Sequence, residues 1–166
     1  MLLLMDTCAW SHSEILETEH IFDIRPFLGK FRVGATEEIL KELKYYRLHI
    51  FVSLQDLFLV PLSSSEWEQA LQKYPTLEAL DKADQSLVIA ALRDKSLLVT
   101  DDGDLFLESQ ALGVDIFRLP AFLLKLARQV NLSKTTVYKC LRFWEERGSY
   151  KKRDISRWKT DLQSIT

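Results

Sequence analysis

Apolar and polar positions along the chain switch between two periods. Leu2 to Met5 is a short leucine-rich run that stops at the polar pair Asp6-Thr7, the pattern of a fully buried strand ending at a turn. A helix is expected from about Ala9 to Glu19. Phe31 to Ala35 reads as a second strand, Thr36 suits a helix N-cap, and Ile39, Leu40, Leu43 and Leu48 have roughly the spacing of a helix's apolar face. A third apolar run, Phe58 to Leu62, ends at Ser63 to Ser65, whose hydroxyls suit the cap of a helix carrying Trp67, Ala70 and Leu71.

Leu80, Ala83, Leu87, Ala90 and Ala91 recur in steps of three and four, which predicts a helix from Asp81 to Arg93. Ser96 to Thr100 follows as a fourth, buried strand. The polar turn Asp101-Asp102-Gly103-Asp104 then opens a helix through Leu105 to Leu112, Gly113 ends it, and Val114 to Phe117 makes a last short strand. Strands alternating with helical patterns predict an α/β fold, a parallel sheet with helices on both faces. Beyond Pro120 the pattern is helical only: Phe122 to Val130, a polar break at 131–133, and Lys134 to Arg147 ending at Gly148.

Composition narrows the class. At 166 residues, 47% hydrophobic and 28% charged, the chain fits one globular domain or a domain with a small appendage. Five glycines and four prolines exclude collagen-like and low-complexity classes. The apolar runs fall far short of the roughly 20 residues that span a bilayer, so no membrane partner is expected. The amino terminus lacks a basic leader and a cleavage site and reads as a strand, which points to the cytoplasm. Cys8 and Cys140 could form at most one bridge; Cys8 and His12, one helical turn apart, could supply half a zinc site, but no second Cys/His pair completes it.

The net charge of −2 conceals a division. Residues 1–118 hold 11 Lys and Arg against 20 Asp and Glu, whereas residues 119–166 hold 11 against 4. Element type and charge both place a boundary near 118 to 120, separating an α/β domain (1–118) from a basic helical extension (119–166), and such asymmetry suggests an anionic partner for the basic part.

In an open parallel sheet, ligands collect beyond the carboxyl ends of the strands. Asp6 directly follows the first strand, and Asp102 and Asp104 follow the fourth. Glu42 and Asp84 sit on helices that could present them to the same rim. Taken singly, Asp6 could merely cap a helix, Asp84 could be an acid favoured by a helix dipole, and the others could be solvated. Brought together, four carboxylates repel and raise one another's pKa unless a cation joins them. Oxygen-only ligation suits Mg2+ or Mn2+, and such a centre can activate water against a phosphodiester.

These residues resemble the PIN domain, the nuclease family that includes VapC-type toxins and ribosomal RNA processing endonucleases. The similar stretches are Leu4-Met5-Asp6-Thr7, Glu42-Leu43, Ala83-Asp84-Gln85-Ser86-Leu87 and Val99-Thr100-Asp101-Asp102-Gly103-Asp104-Leu105, in matching order over roughly residues 1–118. The resemblance implies a three-layer α/β/α sandwich, a homodimer, and Mg2+- or Mn2+-dependent endoribonuclease cleavage of single-stranded RNA, as in the toxin of a toxin–antitoxin pair. It makes Asp6, Glu42, Asp84 and Asp102 the metal-binding catalytic acids, Asp104 an additional acid, and Thr7 and Thr100 their hydrogen-bonding supports. Glu38, one turn before Glu42, competes for its role, and Cys8 stands where Ser or Asn is frequent in the family.

The basic segment supports two readings. Leu126 to Tyr138 followed by Leu141 resembles a helix-turn-helix, with Lys134, Thr135, Thr136, Lys139 and Arg142 as candidate nucleic-acid contacts. That reading leads to the competing function, a DNA-binding regulator on a catalytically idle scaffold. Alternatively, Leu123, Leu126, Val130, Val137, Leu141 and Trp144 pack a helical hairpin and the cations stay solvated, or hold RNA near the acids.

Overall fold

The computed structural model describes residues 1–130 and 132–165; Asn131, part of the expected polar break, lies outside them. Five strands, β1 (Leu2–Met5), β2 (Arg32–Ala35), β3 (Phe58–Leu59), β4 (Leu97–Val99) and β5 (Asp115–Phe117), form an all-parallel sheet in the order β3-β2-β1-β4-β5. The fold is therefore α/β, with helices in the connections, and is compatible with a three-layer sandwich. The central pair explains the leucine runs. Leu3, Leu4 and Met5 face Leu97, Leu98 and Val99 in register and all are buried, as strands covered on both faces must be.

The chain steps outward from β1 to β2 to β3, then returns to place β4 on the other side of β1 and continues to β5. The direction reverses between β1 and β4, so their carboxyl ends flank the crevice where open α/β sheets bind ligands. One residue past the Met5–Val99 pair, the Asp6 N–H donates to Val99 O (3.1 Å) and the Thr100 N–H to Phe117 O (3.0 Å), which fixes both residues at the sheet's edge.

Helices α2 (Glu37–Tyr45), α3 (Ser64–Lys73), α4 (Lys82–Asp94) and α5 (Gly103–Ala111) are each capped by a side chain: Thr36, Ser63, Asp81 and Asp102 accept from a backbone N–H three residues on. Ser63 and Glu66 complete a reciprocal capping box. Gly34 in β2 is dictated by space. A Cβ there would lie 2.9 Å from both Leu2 Cδ1 and Val60 Cγ2, too close for any side chain.

Two expectations change here. The third strand covers only Phe58 and Leu59, both exposed at the sheet edge, because its partner β2 ends at Ala35, where Thr36 caps the next helix. The chain divides into two compact units, Met1–His12 with Phe31–Arg118, and Ser13–Lys30 with Leu119–Thr166. Residues 13–30 thus pack with the carboxyl-terminal helices rather than with the sheet, although α1 (Thr7–Thr18) is continuous through that boundary.

The second unit contains α6 (Leu119–Gln129), α7 (Lys134–Arg147) and α8 (Lys152–Gln163), and each of the three packs on the other two. Leu123, Leu126, Val137, Leu141 and Trp144 are buried, together with Ile155, Trp158 and Leu162 of α8. Trp144, Tyr150 and Trp158 stack edge to face at 5.4 and 5.3 Å. Gly148 ends α7 in the left-handed conformation that glycine adopts without strain. No helix among the described residues is long and apolar enough to cross a membrane.

Candidate active site

The carboxylates meet at the crevice between β1 and β4. Asp6 is 2% exposed, ends β1 and caps α1: one carboxylate oxygen accepts from the Ala9 N–H (2.6 Å) and the other from the Thr100 hydroxyl. The Thr100 oxygen in turn accepts from the Asp102 N–H (2.9 Å), and Asp102 caps α5 by accepting from the Leu105 N–H (2.8 Å). Two strand ends and two helix starts are thereby tied through a single buried hydroxyl.

Glu42 arrives from α2. It is half-buried and accepts from the Thr7 hydroxyl at 2.5 Å, which links α2 to the start of α1. Thr36, the cap of α2, shares a 2.6 Å hydrogen bond with Ser86 of α4, whose hydroxyl also reaches Ala83 O. That bond sets the helix carrying Glu42 against the helix carrying Asp84. Glu38 pairs with Lys41 at 3.0 Å, whereas Glu42 is the α2 acid whose charge acts on Asp84.

The electrostatics show which acids act on one another. Burial pushes the Asp6 carboxyl up to about 7, against the lowering effect of the Thr100 and Ala9 hydrogen bonds and with added repulsion from Asp101 and Asp102. Burial also pushes Asp84 up to about 8, reinforced by Asp81, Asp6, Asp102 and Glu42. Asp84 lies in the first turn of α4, where the helix dipole favours the anion, so its neighbours and burial outweigh that dipole. Burial likewise drives the Cys8 thiol up to about 12, with Asp6, Asp102, Asp84 and Asp101 adding to it; beside these acids it stays a protonated thiol.

Asp104 stands apart. It is exposed in the first turn of α5, and its charge is not among the principal ones acting on Asp6 or Asp84. Asp101, which sequence reasoning passed over as part of a surface turn, has its side chain buried to 1% exposure and accepts from His12 Nδ1 at 2.8 Å. This hydrogen bond holds the His12 pKa above its ordinary value. The Arg118 guanidinium donates to Asp101 O (3.0 Å). His12 and Arg118 therefore both brace the β4–α5 turn, a role that no local pattern announces because 89 residues separate His12 from Asp101.

The donor set suits a hard divalent cation: carboxylate oxygens only, two of them burdened by burial and by neighbouring carboxylates. As the side chains stand, no three Asp, Glu, His or Cys residues among the described residues converge closely enough to hold an ion. Asp6, Asp102 and Glu42 are each turned toward a hydrogen-bond donor of the protein instead.

In the second unit, two of the candidate nucleic-acid contacts have internal partners. Lys134 Nζ donates to Ile165 O, and Arg142 pairs with Glu146 one turn on (2.9 Å). Lys139 and Thr135 are exposed on α7, while the Thr136 hydroxyl shares a hydrogen bond with Ser133, the cap of that helix.

No family model matches the chain, and no curated protein matches it. Among solved structures it is similar to the crystal structure of PAE2754 from Pyrobaculum aerophilum, with a TM-score of 0.53 and 18% identity, covering 78% of this chain and 100% of that one. At that identity the likeness is one of fold.

Proposed function

We propose that the chain is a PIN-type endoribonuclease that hydrolyses phosphodiester bonds of single-stranded RNA at Asp6, Glu42, Asp84 and Asp102 with Mg2+ or Mn2+. The observation that carries this reading is the burial of Asp6 and Asp84 among other carboxylates, which raises them to about 7 and about 8, at the switch point of a parallel sheet. Acids kept at such a cost beside a crevice point to a functional arrangement rather than a folding one: Asn or Ser at position 6 would cap α1 without a buried charge, and Asp84 is not needed as a cap because Asp81 already caps α4.

Bound among these acids, a divalent cation would supply an activated water and neutralise charge on the scissile phosphate. The chain's own residues prepare its place. The Thr100 hydroxyl and Ala9 N–H orient Asp6, the Leu105 N–H orients Asp102, and the Thr7 hydroxyl holds Glu42. His12 and Arg118 hold the β4–α5 turn rigid through Asp101. On the same reading the protein acts in the cytoplasm as a homodimer and is the toxin of a toxin–antitoxin pair, with Asp104 as an outlying acid.

The test is cleavage of an unstructured RNA with Mg2+, with Mn2+ and with chelator, comparing wild type with Asp84→Asn. Metal-dependent cleavage that the folded variant loses is expected. Cleavage that persists in Asp84→Asn, or none by wild type with either metal, overturns the reading.

A further inference from the structure

Helix α2 ends in two tyrosines that the fold does not use. Tyr45 is 80% exposed and Tyr46 60%, whereas Trp10 and Phe51 of the same unit are at 2% and 6%. The two rings meet edge to face, with centroids 4.9 Å apart at 88°, so each is steadied by the other while ring faces remain open to solvent. Ile50, 77% exposed, follows in the next turn.

Their place relative to the acids is set by helix geometry. Tyr45 and Tyr46 stand three and four residues after Glu42, the spacing at which side chains on a helix are neighbours, and the Tyr46 N–H donates to Glu42 O (2.9 Å). Tyr45 is the last residue of α2 and Tyr46 its C-cap, which places both at the helix end one turn beyond Glu42. A substrate strand lying across the carboxylates and running along α2 would meet them next.

The charges around them favour an anionic strand. Lys44 and Arg47 flank the pair and are exposed; Lys41, by contrast, is held by Glu37 and Glu38. Arg47 sits at φ 60°, ψ 14°, a left-handed conformation a non-glycine residue seldom adopts, and there it turns the chain out of α2. Cations interleaved with aromatic faces are the composition of single-stranded nucleic-acid platforms, where every base offers a face to stack and phosphates meet the cations. Lys44, Arg47 and His49 interrupt the apolar area, so the patch is a cation-edged pair of rings rather than one continuous apolar face.

We propose that Tyr45 and Tyr46 stack unpaired bases of the substrate and give the carboxylate site its preference for single strands. This rests on the nuclease reading above. In a duplex the base faces are covered by neighbouring bases, so the platform has nothing to grip.

The experiment compares wild type, Tyr45→Ala with Tyr46→Ala, and Tyr45→Phe with Tyr46→Phe, each shown to be folded by circular dichroism. Binding of a labelled oligoadenylate of about 12 nucleotides, and of an RNA duplex of that length, is measured by fluorescence anisotropy alongside KM and kcat for cleavage. The alanine pair should raise KM and Kd for the single strand by about 10-fold or more, with the effect in KM rather than kcat and little change toward the duplex. The phenylalanine pair, which keeps the rings, should stay within about twofold of wild type. Unchanged KM and Kd in a folded alanine pair overturn the proposal while leaving the nuclease reading intact. An alanine pair that alters the oligomeric state in light scattering without moving Kd assigns the patch to a second copy and also overturns it. RNA binding without cleavage in wild type sinks the nuclease reading alone, because the anisotropy series still decides the stacking; no RNA binding at all sinks both.

Discussion

The two units carry opposite charge and treat it in opposite ways. Counted by the structural division, the sheet unit has 9 Lys and Arg against 16 Asp and Glu, and the helical unit 13 against 8. In the sheet unit a few acids are drawn inside and set against each other: Asp6 is 2% exposed, and Asp84 feels Asp81, Asp6, Asp102 and Glu42. In the helical unit, cations lie outside and many are answered, Arg142 by Glu146, Arg147 by Glu19, Lys159 by Glu145 and Arg25 by Asp23. An exposed, paired charge contributes little either way, whereas a buried carboxylate facing others is costly. The difference is one of location: the sheet unit holds its unfavourable charge inside, whereas the helical unit leaves its charges exposed and many of them paired.

The largest effect separating the units should come from packing. Trp144 is 2% exposed and closes the aromatic run with Tyr150 and Trp158, so Trp144→Ala should cost about 3–5 kcal/mol in urea unfolding. Asp84→Asn should do the reverse, costing activity rather than stability. Cleavage should fall by about 100-fold or more, while the metal-free protein should gain about 1–2 kcal/mol, a figure reduced for the partial exposure of Asp84. An Asp84→Asn protein that is markedly less stable than wild type would place that residue in the folding machinery and erase the contrast.

Much of this was legible beforehand, and what was not has physical causes. The buried runs of β1 and β4 could be read because a strand covered on both faces has no polar alternation to confuse. Asp6 and Asp102 could be placed because turns directly follow those runs. Glu42 and Glu38 could not be separated, since both lie one turn apart on α2 and only Lys41 and Thr7, one near in sequence and one far, decide between them. Asp101 carries no local signal of its burial, because the histidine it pairs with, His12, lies far back in the chain. Residues 13–30 fall in the compact unit of the carboxyl-terminal helices, which sequence does not show because a continuous helix displays its apolar face without what it packs against. Helix α8 had a signal, Ile155, Trp158 and Leu162 at steps of three and four, but the basic run at 151–153 drew the reading toward charge instead.

The contrast also predicts a pH dependence. Asp6 and Asp84 have native pKa values of about 7 and about 8, above their unfolded value, so between pH 4 and 8 the native state holds more protons than the unfolded one. Stability then falls as pH rises through that window. His12 acts in the same direction: its raised native pKa gives stability below its unfolded value that is lost as the ring deprotonates. The metal-free protein should lose about 4 kcal/mol from pH 4 to pH 8 through Asp6 alone, read from denaturant midpoints, with a smaller, solvent-discounted addition from Asp84. Saturating Mg2+ should flatten the profile, because the ion binds the deprotonated acids and displaces their protons. A metal-free protein whose stability climbs over that range would mean that burial does not hold Asp6 and Asp84 protonated.

The smallest effect tests whether the basic unit is a partner surface or a solvated one. Arg142 is exposed and paired with Glu146, and Lys139 is exposed beside it on α7, so Lys139→Ala with Arg142→Ala should change stability by less than about 0.5 kcal/mol. If α7 is only packed structure, RNA and duplex DNA binding by this variant should follow the wild-type dependence on salt. If it grips phosphate, each lost contact should lower the slope of log Kd against log salt by about 0.7 for single strands or 0.9 for duplex. The internal partners of Lys134 and Arg142 lead us to expect the first outcome, with binding carried by the sheet unit. A slope reduced by more than one contact would reverse that assignment, because it would show that the exposed cations of the helical unit, and not the strained acids alone, meet the substrate.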